Sequence, residues 1–107
     1  MSEPRTWDGG PSLPALEGAF SRQMQIVNRR GLHARATAKF VQCVERFDAD
    51  IKVSRCGETV GGDSIMGILT LGAGLGSTIT VFASGAEALE ALAALAELVA
   101  NRFGEDE

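Results

Sequence analysis

An α+β fold is what this sequence predicts: an open-faced β-sandwich with a four-stranded antiparallel sheet covered on one side by three helices. Three observations carry it. The apolar period switches repeatedly between two and three-to-four residues, in the order β-α-β-β-α-β-α. The strand-like segments have one apolar and one polar parity, as expected of a sheet covered on a single face. The helical segments have one apolar stripe, which needs a neighbouring layer to bury it.

Residues 1–19 contain Pro4, Pro11 and Pro14 and the pair Gly9-Gly10, with no sustained period. They are expected to form a flexible extension in which Trp7 has no anchoring role. The folded domain is expected over residues 20–107. "FSRQMQIVN" places Phe20, Met24 and Ile26 on one parity and Ser21, Gln23 and Gln25 on the other, with Arg22 interrupting the apolar set. It reads as the first strand. In "ARATAKFVQCVERF" the period becomes helical. Phe40, Val44 and Phe47 recur beside Thr37 and Val41, while Lys39, Gln42, Glu45 and Arg46 face outward, predicting a helix over Ala34–Phe47. "DADIKVSRC" alternates again, with Ile51 and Val53 inward. Gly57 and Glu58 turn it into a short third strand, "ETVGG".

Asp63 or Ser64 then caps a short helix, "SIMGILTL". Gly72, Gly74 and Gly76 mark a loop, and "STITVFAS" is the fourth strand, with Ile79, Val81 and Ala83 inward and Gly85 ending it. "AEALEALAALAELVANRF" is the third helix. Leu89, Leu92, Leu95, Ala96, Val99 and Phe103 form its buried face, with Glu87, Glu90 and Glu97 at its edge or opposite. Gln23, Gln25, Lys52, Ser54, Thr78 and Thr80 fit the open face of the sheet, and Phe82 is the exception.

The 107 residues are enough for one core and not for two. A net charge of −4 argues against generic nucleic-acid binding, which rests on neutralising phosphates, and against a polybasic membrane surface. No apolar run approaches the ~20 residues that span a bilayer. The N-terminus lacks the basic start and apolar stretch of a secretory signal. A cytoplasmic protein is therefore expected. Cys43 and Cys56 agree: they form no CxxC and no zinc set, and are expected reduced and partly buried. Neither a metal nor a cofactor is expected.

The chemistry concentrates in "NRRGLHARATAKF", Asn28–Phe40, which holds the only histidine. "RRGLHARA" offers no Ser, Thr, Asp or Asn to cap the helix that begins there, so the first-turn N–H donors lack a side-chain acceptor. Such a helix mouth is an anion site. Arg35 adds a planar guanidinium suited to phosphate, and Gly31 lets the preceding loop take a shape other residues resist. The positive surroundings favour a neutral imidazole, whose lone pair can attack phosphorus. On these residues alone a second reading stands beside it: His33 caps the helix through a ring nitrogen and Arg35 is a solvated surface charge.

"GLHARATA" closely resembles the active-site signature of the HPr family, the histidine-containing phosphocarriers of the bacterial phosphotransferase system. "DSIMGILTLGA" resembles that family's second signature, at the separation the family requires. The resemblance covers about Phe20 to Phe103. It implies phosphorylation of His33 by enzyme I, with phosphate originating in phosphoenolpyruvate, and transfer to a IIA protein or domain. The protein is then a phosphotransfer protein with a phosphohistidine intermediate rather than a stand-alone enzyme. Arg35 matches the arginine that assists at the phosphate, which the backbone at Ala34, Arg35 and Ala36 would cradle. Ser64 matches a serine phosphorylated in some bacteria by a dedicated HPr kinase/phosphorylase.

The resemblance places a partner-docking patch on Ile65, Met66 and Leu69, together with the first helix. No nucleic acid, no membrane and a monomeric state are expected. Ala36 replaces the proline usual in the family, a change a first helical turn tolerates. Gly62-Asp63 departs from the small-then-basic pair usual before the serine. The acidic ending "GEDE" faintly resembles the nitrogen-related branch.

"GAGLGS" follows a helix and precedes a strand, the reverse of a dinucleotide-binding loop, and reads as a tight connection. Ser64 also suits a plain helix cap. The alternative function is a regulatory binding module whose phosphorylation state controls partner choice. A ferredoxin-like RNA or metal module lacks the required aromatic pairs and ligand clusters.

Overall fold

Segments of period two form strands and segments of helical period form helices, in the expected order. The computed structural model describes residues 19–106. Its elements are β1 (Ala19–Gln25), α1 (Ala34–Glu45), β2 (Asp50–Arg55), β3 (Glu58–Gly61), α2 (Ile65–Thr70), β4 (Thr78–Ser84) and α3 (Ala88–Ala100), followed by a single 3-10 turn at Arg102–Gly104. The proposed extension, including Trp7, lies outside the described residues except for Ala19, which opens β1.

The sheet order is β1-β4-β2-β3, with every neighbouring pair antiparallel. Alternation sets the register. Met24 of β1 faces Ile79 of β4, and Val81 of β4 faces Val53 of β2, so each inward row is apolar. These side chains are buried with Phe40 and Val44 of α1, Ile68 of α2, and Leu92, Leu95 and Val99 of α3. Gln23, Gln25, Lys52 and Thr78 are exposed on the opposite face, and Phe82 is half-buried there.

Several details differ from the expectation. α1 ends at Glu45 rather than Phe47: Arg46 and Phe47 donate to the carbonyls of Cys43 and Val44, tightening the last turn. Phe20 is exposed and Arg22 stays at the surface, because β1 is an edge strand and its inward side is only partly covered. Cys56 is exposed, not partly buried, because it forms the tight turn between β2 and β3 with Gly57; Cys43 alone is buried, and both thiols are free.

The largest difference is in α3. The stripe that enters the core is Ala88, Ala91, Leu92, Leu95 and Val99. Leu89 lies one position off that stripe and is 58% exposed. Phe103 does reach the core, fully buried, but not as a helical residue. Arg102 and Phe103 have φ of 58° and 55°, and Gly104 has φ of 79°, so the chain reverses by a left-handed turn. Only the glycine adopts this conformation without cost. Burial of the Phe103 ring holds the turn.

Phe103→Ala is expected to lower the unfolding free energy by about 3–5 kcal/mol, the range for emptying a large core site. Leu89→Gln is expected to change it by less than about 0.5 kcal/mol. Urea unfolding of the two variants checks both; a larger loss at Leu89 than at Phe103 contradicts the observed phase of α3.

Candidate functional site

His33 is the N-cap residue of α1, in extended backbone geometry (φ −75°, ψ −179°). The first bond of helical spacing runs from Thr37 N–H to the His33 carbonyl, at 2.8 Å. The N–H groups of Ala34, Arg35 and Ala36 therefore precede the helical ladder. The His33 ring makes no capping bond, so the helix-cap reading of its imidazole does not hold. Ala36 itself is fully buried at the base of this turn.

Two loops hold this mouth in place. Ile26 donates to the Ser77 carbonyl at 2.8 Å and accepts from Gly76 N–H at 2.8 Å, and Leu32 donates to the Ala73 carbonyl at 2.9 Å. The glycine-rich segment 72–77 is thus a structural connection laid against the His33 loop. Gly31, at φ +68°, sits where the loops touch. A Cβ there would lie 2.5 Å from the Ala73 carbonyl oxygen and 2.6 Å from Gly74 Cα. The position requires glycine for conformation and for space. The Thr37 hydroxyl donates to the Leu32 carbonyl at 3.1 Å, tying the helix back to the loop.

The left-handed turn after α3 brings the C-terminal segment across the same site. Glu105 binds two partners: its Oε1 accepts from Asn28 Nδ2 at 3.0 Å, and its Oε2 meets His33 Nε2 at 2.5 Å. The His33 and Glu105 side chains retain 22% and 16% exposure. Asn28 is fully buried and also donates to the Gly31 carbonyl at 2.8 Å. Burial pushes the Glu105 carboxyl up, but hydrogen bonds from His33 and Asn28 and the charges of His33 and Arg30 outweigh it, holding the group below its ordinary value.

Arg29, Arg30, Arg35 and Lys39 line a pocket of about 530 Å³ with Gly104, Glu105 and Asp106. Arg35 is exposed on its rim side of α1. Lys39 does not simply face outward as expected, since its Nζ donates to the Phe103 carbonyl at 2.7 Å.

Ser64 is the N-cap of α2, and its hydroxyl accepts from Gly67 N–H at 3.0 Å. Ile65 and Met66 are 42% and 71% exposed, Leu69 is half-buried, and Ile68 supplies the buried anchor. α2 packs against α1, so these apolar side chains lie on the layer that carries His33.

Asn28 and Glu105 are absent from the residues expected at the site. A local signal for the second exists: glycine directly after a buried aromatic at a helix end, in "NRFGEDE", is the mark of a chain reversal. The pairing of Asn28 with Glu105 has no local signal, because the two lie 77 residues apart.

A family model described as "PTS HPr component phosphorylation site" matches residues 20–101. A phosphocarrier protein HPr of Cupriavidus necator is 49% identical over 88 residues, covering 82% of this chain and 99% of that protein. One from Pseudomonas aeruginosa is 44% identical over 96 residues, covering 89% and 100%. Among solved structures, HPr-C-His from Thermoanaerobacter tengcongensis superposes with a TM-score of 0.79 at 38% identity, covering 82% of this chain and 99% of the other. HPr from Bacillus anthracis superposes with a TM-score of 0.73 at 46% identity, covering 76% and 96%. The fold, the histidine at the open helix mouth and these matches along nearly the whole folded length agree: the chain belongs to the HPr family, the phosphocarriers of the bacterial phosphotransferase system.

Proposed function

We propose that His33 accepts a phosphoryl group from enzyme I, originating in phosphoenolpyruvate, and passes it to a IIA protein or domain. The observation that carries this reading is the imidazole at the N-terminus of α1 with no capping bond to spend its ring on. In the transfer, a ring nitrogen forms a bond to phosphorus as the donor's bond breaks, and the donor keeps that electron pair. The phosphoryl oxygens then meet the open N–H groups of Ala34, Arg35 and Ala36 at the positive end of a helix of 12 residues. The Arg35 guanidinium adds charge and a two-pronged contact. The group is held by donors already in place, so uptake and release need little rearrangement.

Ile65, Met66 and Leu69 supply the apolar part of the docking surface. Met66 is the most exposed of the three, and its flexible thioether adapts to more than one partner. Regulation through Ser64 fits the same surface. A phosphate there adds about −1.5 to −2 charges, which a docking partner must desolvate. Because the Ser64 hydroxyl caps α2, Ser64→Ala is expected to cost about 1 kcal/mol of stability, whereas Ser64→Asp keeps a capping acceptor.

With enzyme I and phosphoenolpyruvate, the wild type is expected to gain one acid-labile phosphate, and His33→Ala none, while keeping its circular dichroism. Arg35→Ala is expected to slow uptake on the order of 10²-fold without abolishing it, since the backbone donors remain. Phosphate gained by His33→Ala would overturn the reading. For Ser64, the rate of His33 phosphorylation is compared among wild type, Ser64→Ala and Ser64→Asp at matched enzyme I. The Asp variant is expected to be slower than the Ala variant; equal rates across enzyme I concentrations leave Ser64 as a helix cap.

A further inference from the structure

We propose that Glu105 is a positioning residue for phosphoryl acceptance: its carboxylate holds the Nε2 proton of His33 and so keeps the ring's lone pair on Nδ1. This rests on the reading of His33 as the phosphoryl acceptor.

The carboxylate is fixed at both ends. Oε1 accepts from the buried Asn28 amide, and Oε2 meets His33 Nε2. The orientation of that amide follows from its partners. The Gly31 carbonyl and the Glu105 carboxylate only accept, so the NH₂ end of Asn28 must face them. The segment carrying Glu105 is itself anchored, by the fully buried Phe103 ring and by the bond from Lys39 Nζ to the Phe103 carbonyl. Glu105 is thus held against the imidazole rather than swinging past it.

An ionised carboxylate offers acceptors only. The hydrogen between Oε2 and Nε2 therefore belongs to the ring. A neutral imidazole with its proton on Nε2 has its lone pair on Nδ1. When Nδ1 forms the bond to phosphorus and the donor departs with its electron pair, the ring becomes a cation that still carries the Nε2 proton. Glu105 lies against that proton and stabilises the new charge, the part played by the carboxylate behind the histidine of a catalytic triad. On release, the N–P bond breaks, its electron pair returns to Nδ1, and the starting tautomer is restored. No proton leaves the ring in either direction.

The other charges facing the pair are Arg29 and Arg30 from the preceding loop, Arg35 and Lys39 from α1, and Asp106 beside Glu105. The cations outnumber the carboxylates and favour an ionised Glu105. A carboxyl held below its ordinary value stays charged beneath the usual range of about 4.3. The contact is therefore present at neutral pH, persists through that range, and is lost only as pH falls through the lowered value in the folded protein.

The test uses the full chain with nitrogen-15-labelled histidine, and the variants Glu105→Ala and Glu105→Gln. The wild type is expected to show a hydrogen-bonded Nε2–H signal, slowed in exchange, at neutral pH. Glu105→Ala is expected to lose that signal and to take phosphate from enzyme I about tenfold more slowly at saturating donor, with the donor concentration for half-saturation unchanged. Glu105→Gln keeps length and an acceptor but not charge, and is expected to recover the signal with an intermediate rate. All three should share the same circular dichroism. An Ala variant with wild-type signal or wild-type rate overturns the proposal, as does a Gln variant no better than Ala in both readouts. If the wild type itself takes no phosphate, the acceptor reading fails, while the Nε2–H signal still decides whether Glu105 holds the ring.

Discussion

The backbone bonds between segment 26–32 and segment 73–77 set where His33 stands. They join the end of β1 to the approach of β4, neighbours in the sheet, and the start of α1 hangs from them. Gly31 lets the two loops meet with no side chain between them, where a Cβ would lie 2.5 Å from the Ala73 carbonyl oxygen. The packing of α1 on the core, the aim of its open N–H groups and the reach of the C-terminal segment to His33 all inherit that starting point.

The site is assembled at a cost the core must cover. Among the described residues, Asn28 Oδ1 is buried with no hydrogen-bond partner, a loss of about 1–3 kcal/mol. Arg102 and Phe103 occupy left-handed backbone, at roughly 1–3 kcal/mol each. Such costs persist where neighbouring structure over-determines them. Here the buried Phe103 ring and the two-ended hold on Glu105 do so.

How much of this was legible in the sequence depends on the range of the interaction. Alternation identifies the four strands and the inward rows of Ile51, Val53, Ile79, Val81 and Ala83 because a period of two is local and both faces differ in solvent. The helix mouth at His33 is legible for a similar reason: a missing cap residue is visible in five or six letters. Leu89 misleads because α3 is so rich in apolar residues that two neighbouring stripes look alike; where the helix begins decides between them, and small Ala88 and Ala91 face inward instead. Phe103 is rightly placed in the core but for a different conformation, since helical spacing carries a reader past the end at Ala100. Asn28 and Glu105 meet only after the whole chain has folded, so no local pattern announces their pairing. Ile65 and Met66 were legible as surface only through family resemblance, because periodicity does not say which apolar residues of so short a helix remain outside.

With His33 as the proposed acceptor, the lone imidazole would also govern the traffic the protein carries. On the proposed reading, one ring nitrogen at one helix mouth would serve both the donor and the acceptor of the phosphoryl group, so the two could not be seated there together. Every cycle consists of two separate collisions with a departure between them, and flux depends on how fast each encounter dissolves. At an association rate on the order of 10⁶ M⁻¹s⁻¹, micromolar binding already holds a partner for about a second. Tight grip therefore works against throughput. The proposed docking patch, a few apolar side chains on α2 on the same layer as the cations around His33, rather than a broad interlocking interface, would suit a courier that has to let go.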